Sequence, residues 1–506
     1  MPSDGPDLAS AIARATTLLN GGSVEAAVAE AARGVAAWPA SSELWSLLEA
    51  ARLEAAYDAA TRAAPDAGAG LALFQRLAAV DEADRLWPFE TVGRDLAARG
   101  DHRGLISQLP RVRGDADRRD LLEQHRMWGR AAEARAAAHP IRPAPRGLRS
   151  RPRVALVSSD LRSHAIAPFV VPLVEGAGAA GVELYGYSAH SGPADGIQQY
   201  MAGRMAGLRH LPGADAIEMA QAIAADAPDV LIEIGGSTNE NRLEAMAHRL
   251  APVQLSWLGY PHSTGLGTID GWILDPHLAP IEPGLMLERP LLMPKTWAIM
   301  SPGYFREDIP LPVALPQDRK GYVTFGTAGS PYKYSAATLA AWGQVLAAVP
   351  GSRFLFVRPE AASPRFRANV AAHFARQDVG ADRLEFAPVR GGHLPYYGVI
   401  DISLDTFPLT GGMTTCEALW MGVPVVSLAG RAVYERLSHS LLTNAGLADL
   451  STTSVEAFVA RAVDLASDRE RRRQWRAEGR AAIMGGPLGD LDGFARDFFA
   501  LATRPL

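Results

Sequence analysis

The segment from residue 405 to residue 420 has the composition of an anion-binding loop followed by a helix. Glycine lets a backbone approach a ligand closely, and the N–H groups at a helix start, together with the positive end of the helix dipole, bind diphosphates. The residues that would line such a site are Gly411, Gly412, Met413, Thr414 and Thr415. Thr414 and Glu417 also have the spacing of a capping box, which alone would explain both residues. The two glycines ahead of them favour anion binding.

A lysine lies in a second loop that could meet the same anion. Residues 327–334 follow an apolar run, so that Thr327 opens the loop and Lys333 comes near its end. Such a lysine can neutralise a phosphate as a point charge, although a lone surface lysine is the commoner case. His393 follows two glycines after a third apolar run. It either contacts the ligand or faces water at a helix start.

Two further side chains could move a proton. His164 follows the apolar run 154–157 by a few residues, and Glu233 stands near the end of the apolar run 230–234. A histidine at a strand end can act as a base or hold an acceptor. Burial of Glu233 would raise the pKa of its carboxyl group toward a range useful for a general base. Each residue could equally be a structural hydrogen-bonding group.

The sequence predicts no metal site. Pairs of aspartates at residues 115 and 117 and at residues 490 and 492 have the spacing of a metal–nucleotide site, but they lie in charged helical or loop sequence, away from any strand end. No Walker A, nucleophile-elbow or His-x-x-x-His pattern is present. A single cysteine, Cys416, excludes an internal disulfide framework and suits a reducing compartment.

The elements that would position these residues form two series of short apolar strands, each strand leading into a glycine-containing or polar loop and then a helix. The predicted strands are 154–157, 230–234 and 253–258 in the first series, and 322–325, 354–357, 384–386, 402–404 and 425–428 in the second. This alternation predicts an α/β fold of two Rossmann-like lobes facing a cleft, with the ligand at the carboxyl ends of the strands. Residues 279–320, rich in proline, would form a hinge between the lobes.

Residues 1–138 are alanine-rich and helical in period. A Trp38-Pro39 pair between two helical stretches is typical of a tetratricopeptide-type unit, although no clean repeat of about 34 residues is visible. We therefore predict a degenerate helical domain that either binds an acceptor or caps the remainder of the protein. Residues 139–152, rich in proline and arginine, form a linker to lobes at residues 153–310 and 320–506.

Composition restricts the partners. The chain of 506 residues is 48% hydrophobic and 21% charged with a net charge of −5, a globular balance without the basic excess that nucleic acid requires. No apolar stretch approaches the roughly 20 residues that cross a membrane. The first seven residues are acidic where a signal peptide would be basic. We expect a cytoplasmic protein that binds neither nucleic acid nor membrane.

The sequence resembles O-GlcNAc-transferase-like protein glycosyltransferases over about residues 120–500. The resemblance rests on several motifs in the family's order, namely residues 124–128, 153–160, 252–261, 332–333 and 411–424. It implies a GT-B fold and metal-independent, inverting transfer from a nucleotide sugar to a protein side chain. On this mapping Lys333, Thr414 and Thr415 hold the diphosphate, Glu417 stands where the family has an acidic residue on the ribose, and His393 contacts the base.

The resemblance also implies that residues 326–330 line the pyrophosphate and that His164 lines the acceptor side. Three positions depart from the animal enzymes: Gly412 replaces a histidine, Met413 a threonine, and Pro168 a second histidine after His164. The sequences of these motifs are most similar to those of bacterial members that occur with flagellin-modifying systems. The implied donor is therefore either UDP-GlcNAc or a CMP-nonulosonic acid, with no other cofactor.

The leading hypothesis is a protein O-glycosyltransferase acting on Ser or Thr, with His164, Glu233 and Lys333 as catalytic candidates. The acceptor, which could be flagellin, would bind the helical N-terminal domain. The alternatives are a flagellin glycosyltransferase that uses a CMP-nonulosonic acid, an N-glucosyltransferase that acts on Asn, and a catalytically inactive adaptor. Retention of Lys333, Glu417 and His393 argues against the adaptor, because an inactive scaffold need not hold a nucleotide.

Overall fold

The computed structural model describes residues 7–62, 66–145, 147, 149–236, 238, 240–282, 284–305, 308–311 and 314–505. Two predictions fall partly outside these ranges: the acidic N-terminus at residues 1–6, and the linker at residues 146 and 148. No helix of the described chain is long and apolar enough to cross a membrane.

The helices are, in chain order from α1 to α20, Leu8–Asn20, Val24–Ala37, Ser42–Arg62, Ala67–Arg76, Val80–Leu86, Phe89–Ala98, His102–Leu105, Asp115–Ala138, Ala167–Gly176, Gly196–Ala202, Ala216–Asp226, Pro302–Phe305, Pro316–Lys320, Ala336–Ala348, Pro364–Ala375, Met413–Trp420, Leu437–Asn444, Val455–Ser467, Arg469–Gly485 and Leu491–Ala502. The strands are, from β1 to β13, Arg153–Val157, Glu183–Ser188, Gly207–His210, Val230–Glu233, Val253–Ser256, Gly271–Leu274, Arg289–Leu292, Thr324–Thr327, Arg353–Val357, Leu384–Ala387, Ile402–Leu404, Val425–Leu428 and Ser451–Thr452.

The strands form two parallel sheets, and the second repeats the strand order of the first without its last edge strand. The first has the order β3-β2-β1-β4-β5-β6-β7 and the second the order β10-β9-β8-β11-β12-β13. Every residue of β4 and of β8 is buried, as expected for parallel strands covered on both faces. The prediction of two Rossmann-like sheets, as in the GT-B fold, is therefore confirmed. In each sheet the strand order reverses beside one pair of neighbours, β1 with β4 and β8 with β11, and ligands bind at such points.

Five strands were not predicted: β2, β3, β6, β7 and β13. The expectation that residues 279–320 form a hinge is wrong in part, because β7 lies inside that segment and pairs with β6. The segment was misread because of its prolines. Pro290 lies within β7, and a proline is tolerated there since β7 is the edge strand of the sheet.

The chain divides into two compact units that are not continuous in sequence. One contains the described residues of 7–89, 309–429 and 450–480, and the other those of 90–308, 430–449 and 481–505. Helices α1–α5 therefore pack in the unit of the second sheet, whereas α17 and α20 pack in the unit of the first. In that unit, the α20 residue Phe498 lies 4.7 Å from the ring of Trp257. The predicted domains are consecutive segments of the chain, whereas each of these two units combines segments that are distant in sequence.

The N-terminal helices α1, α2 and α3 share one apolar core. Its small side chains, such as Ala15 on α1 and Ala31 on α2, let the helices approach closely, with Leu44 and Leu48 of α3 packed against them. The all-helical N-terminus is thus confirmed, with the predicted break at Trp38-Pro39. Because α3 begins 34 residues after α1, the spacing fits a tetratricopeptide repeat. That assignment stays a prediction.

A cluster of buried histidines joins α7 and α8 to the loop after β5. His125 Nε2 lies 2.6 Å from the Tyr260 hydroxyl, and His102 Nε2 lies 2.9 Å from the carbonyl oxygen of Thr264. The rings of His125 and His262 are 4.2 Å apart. Burial lowers the pKa of His102 to about 3 and that of His262 to about 4, and it lowers the pKa of His125 as well. These imidazoles are therefore neutral in the folded protein at neutral pH.

This cluster predicts acid sensitivity. The pKa of histidine in an unfolded chain is about 6.5. Between about pH 6.5 and 5 the unfolded chain therefore binds protons that the folded chain does not. The free energy of unfolding should therefore fall as the pH is lowered through this window. Replacing His262 with Gln (His262→Gln) should reduce that slope by up to about 1.4 kcal/mol per pH unit. Urea unfolding at several pH values measures it.

The matched control is His139→Gln, which removes a solvent-exposed imidazole just after α8. A wild-type stability that stays constant across this window, or an equal slope in wild type and His262→Gln, would contradict the assignment.

Candidate functional site

The residues predicted to bind an anion lie at the reversal point of the second sheet. The loop after β8 and the loop after β11 meet the start of α16 at a small pocket. The polar residues and the glycine that line this pocket are Thr327, Gly329, Ser403, Asp405, Thr406, Thr414 and Thr415. The structure thus brings together two segments that the sequence separates by about 80 residues. It does so because β8 and β11 are neighbours in the sheet.

Lys333 ties the two loops together. It ends a short 3-10 turn, Pro331–Lys333, and its Nζ donates a hydrogen bond of 2.9 Å to the carbonyl oxygen of Thr410. Thr410 directly precedes Gly411. The ammonium group therefore lies beside the loop that contains Gly411 and Gly412, here called the glycine loop, as the sequence led us to expect. Thr327, at the end of β8, accepts the N–H of Gly329 at 3.0 Å and holds the first loop closed.

Asp405 organises the glycine loop, a role that sequence reasoning missed. Its side chain is buried, and Oδ1 accepts the N–H groups of Thr406 and Gly411, both at 2.9 Å. Oδ2 accepts the hydroxyl of Ser427 at 2.6 Å. The signal was present in the sequence, since a carboxylate directly after an apolar strand must find donors when it is buried.

Helix α16 starts without a side-chain cap. Its N-cap is Gly412, which has no side chain and so makes no side-chain cap hydrogen bond. Thr414 lies inside the first turn, so the capping box between Thr414 and Glu417 that the sequence allowed is not formed. The two glycines that favoured anion binding directly precede this start, and anion binding stays a prediction. Such a start presents backbone N–H groups and the positive end of a dipole to a ligand.

The two glycines differ in their surroundings. A Cβ atom on Gly411 would lie 2.4 Å from Thr415 Oγ1 and 3.0 Å from Asp405 Oδ1. A Cβ atom on Gly412 would meet no atom of the described chain within 4 Å. Gly411 is therefore required by packing, whereas Gly412 faces open space next to Met413.

His393 and Glu417 contact each other. His393 Nε2 lies 2.9 Å from Glu417 Oε2, and the Tyr397 hydroxyl donates to the carbonyl oxygen of Thr414 at 3.2 Å. The loop that carries His393 is thus joined to α16 at two points. The residues that the sequence assigned to a nucleoside and to a diphosphate form one connected cluster in the unit of the second sheet.

In the unit of the first sheet, His164 lies in the loop after β1. Its Nε2 is 3.5 Å from Oδ1 of the buried Asp160, whose Oδ2 accepts from Thr238 and Asn241 at 3.1 and 3.0 Å. Burial lowers the pKa of His164, opposed by the Asp160 carboxylate and aided by the positive charge of Arg162. With its side chain one third exposed, at 34%, this imidazole is accessible and can accept a proton.

Glu233, the other proton-transfer candidate, is almost fully buried at the end of β4. Its Oε1 accepts the hydroxyl of Ser256 at 2.6 Å, and Oε2 accepts the N–H groups of Gly236 and Gly235 at 2.6 and 3.2 Å. Burial raises the pKa of Glu233, while these three donors act in the opposite direction. The structure favours the structural alternative, because the carboxylate is 2% exposed and holds its own loop in place.

A second histidine lies at the carboxyl ends of the strands of the first sheet, and sequence reasoning missed it. His190, just after β2, places Nδ1 2.7 Å from Glu240 Oε2, and Ser191 donates its hydroxyl to the same carboxylate. The bonds from Ser191 and His190 lower the pKa of Glu240 to about 2. An ionised Glu240 accepts the Nδ1 proton, so Nε2 of His190 is the basic nitrogen. No sequence signal joins these residues, which are 50 positions apart.

No group of three or more His, Cys, Asp or Glu side chains in the described chain is placed to hold a metal ion.

Comparison with known proteins gives a consistent result. The signature of glycosyl transferase family 41 matches residues 138–303 and 313–498. A probable UDP-N-acetylglucosamine–peptide N-acetylglucosaminyltransferase SPINDLY from Oryza sativa is 33% identical over 293 residues, covering 57% of this chain and 31% of the relative. The Arabidopsis thaliana protein SEC, a probable transferase of the same kind, is 27% identical over 354 residues, covering 67% of this chain and 35% of its own length. The chain thus spans about a third of the curated relatives it matches.

Among solved structures, a variant of the Thermobaculum terrenum O-GlcNAc transferase superposes with a TM-score of 0.66 at 24% identity, covering 97% of this chain and 96% of that one. This likeness shows the fold. It extends over the N-terminal helices as well as both sheets.

The glycine loop predicts an asymmetric response to alanine. Gly411→Ala forces a methyl group against the Thr415 hydroxyl and should lower the free energy of unfolding by about 1–3 kcal/mol. Gly412→Ala places its methyl group in open space and should leave that free energy within about 0.5 kcal/mol of wild type. Chemical denaturation of both variants measures the difference. Equal stabilities would contradict the packing at Gly411.

Proposed function

This chain belongs to glycosyl transferase family 41, and from that premise we propose that it moves a sugar from a nucleotide-sugar donor to a Ser or Thr hydroxyl of a protein acceptor. The observation that carries the proposal is the uncapped start of α16 beside the ammonium group of Lys333. Fixed positive charge and aligned N–H groups suit the diphosphate of a donor and the charge that develops on it during transfer.

For the donor we propose UDP-GlcNAc. The plant relatives are described as probable UDP-N-acetylglucosamine–peptide transferases, and the similarity covers 57% of this chain for the Oryza sativa protein and 67% for the Arabidopsis thaliana protein SEC. In this assignment His393 contacts the base and Glu417 the ribose. The bond between His393 and Glu417 supports it, because the bond holds both side chains at one edge of the anion site.

The reaction would be a single displacement. The acceptor hydroxyl oxygen forms a bond to the anomeric carbon while the bond from that carbon to the diphosphate oxygen breaks, so the configuration inverts. The electron pair of the broken bond stays on the diphosphate, where Lys333 and the α16 N–H groups stabilise it without a metal ion. The hydroxyl proton passes to a base of the protein, for which His164 is the candidate, because burial lowers the pKa of its imidazole and keeps it neutral. Glu233 keeps a structural role.

The acceptor would be an intracellular protein, and the helical N-terminus would help to recruit it. Helical repeats with the spacing of α1 and α3 form extended binding surfaces, which supports this part of the proposal.

Removal of the Lys333 ammonium group tests the proposal. Lys333→Ala should lower turnover with UDP-GlcNAc and a Ser/Thr peptide library at least about a hundredfold, because a fixed charge at the developing anion is lost. Mass spectrometry of the peptides measures the transfer. The matched control is Lys320→Ala, since Lys320 precedes β8 at the opposite end of the strand from Lys333.

A folded Lys333→Ala protein with unchanged turnover would contradict the site. A wild-type protein that modifies Asn peptides instead, or that transfers only from a CMP-nonulosonic acid, would overturn the proposed acceptor or donor.

A further inference from the structure

Helix α3 of the N-terminal region is hydrogen-bonded to the loop that carries His393. Arg390 lies three residues before His393, and its backbone is bound twice by one side chain of α3. The Ser42 hydroxyl donates to the Arg390 carbonyl oxygen at 2.8 Å and accepts the Arg390 N–H at 2.9 Å. A hydroxyl group can donate and accept at the same time, so Ser42 binds the backbone of Arg390 as a neighbouring strand would.

The side chain of Arg390 lies along the same face of α3. Its guanidinium group is 5.3 Å from the ring centre of Trp45, and Nη1 is 3.2 Å from Glu49 Oε2. Positions 42, 45 and 49 recur at helical spacing and form one stripe. Because the Arg390 side chain is 53% exposed, its ion pair is weak, and the two bonds to Ser42 define the position of the backbone.

Helix α3 is itself fixed to the unit of the second sheet. The buried carboxylate of Glu54 accepts the backbone N–H of Arg365 at 3.0 Å and its Nε at 3.1 Å, and the Ser363 hydroxyl donates to it as well. The Arg365 guanidinium group lies 3.8 Å from the ring centre of Tyr57. The stripe that holds Arg390 is therefore a rigid support.

The segment between Arg390 and His393 has little support of its own. Gly391 and Gly392 have left-handed backbone angles, with φ of 69° and 60°, and both are exposed. Neither would bring a Cβ atom within 4 Å of any described atom. Glycine in such a conformation is mobile unless its ends are held. The ends are held by Ser42 before the glycines and by the His393–Glu417 bond after them.

We propose that Ser42 is a positioning residue for donor binding: through Arg390, helix α3 sets His393 against Glu417 and thereby tunes the affinity for the nucleoside part of the donor. This inference deepens the proposed function and rests on it. It makes the helical N-terminus part of the donor site and not only a surface for the acceptor. Deletion of these helices would therefore weaken donor binding.

Hydrogen exchange and UDP binding test the inference on the full chain. Ser42→Ala should raise the exchange rate of the amides in residues 391–399 about fivefold, the effect of losing a hydrogen bond, and should weaken UDP binding by a similar factor. The KM for the donor should rise while kcat at saturating donor stays unchanged. Ser42→Thr keeps the hydroxyl group and should restore the wild-type exchange rate and the wild-type UDP affinity.

The matched control is Ser41→Ala. Ser41 accepts the N–H of Leu44 at 3.3 Å at the start of the same helix, but it makes no described bond to Arg390. Wild-type exchange in Ser42→Ala, or an equal effect of both alanine variants, would overturn the inference. Faster exchange with unchanged UDP affinity would also overturn it. A wild-type protein that binds no UDP would instead refute the proposed donor, and the exchange comparison would still decide whether Ser42 holds the loop that carries His393.

Discussion

The buried carboxylate of Asp405 and the ammonium group of Lys333 hold two loops together at the point where the second sheet reverses its strand order. Asp405 binds the N–H of Gly411 and the hydroxyl of Ser427, and Lys333 binds the carbonyl oxygen just before Gly411. With the loop fixed from both sides, α16 begins at Met413 after a glycine N-cap, which makes no side-chain cap bond. The proposed anion site depends on this arrangement, because a helix start binds an anion when its N–H groups are held toward the ligand.

The first sheet repeats the topology with different side chains. Its reversal point carries Asp160 beside His164 after β1 and the buried Glu233 at the end of β4. In both sheets a buried carboxylate at a strand end holds the neighbouring loop, and a more accessible basic residue lies close by. The basic residue is a lysine in one unit and a histidine in the other, which suits charge stabilisation in the first case and proton transfer in the second.

The sequence predicted the central strands and the glycine loop because both depend on local patterns: fully apolar runs for strands covered on two faces, and glycines ahead of hydroxyl residues. It did not predict β7, where Pro290 concealed an edge strand. It could not predict contacts set by packing over long separations. The His190–Glu240 pair spans 50 positions, and the bond from Ser42 to Arg390 spans 348. Such contacts leave no trace in local composition.

The measurement that tests the central claim most directly is calorimetry of the purified wild-type protein with UDP and with uridine, without added metal. If α16 and Lys333 form a diphosphate site, UDP binds and uridine binds far more weakly, because most of the recognition is of the diphosphate. Equal affinity for UDP and uridine, or no binding of UDP, would contradict the account.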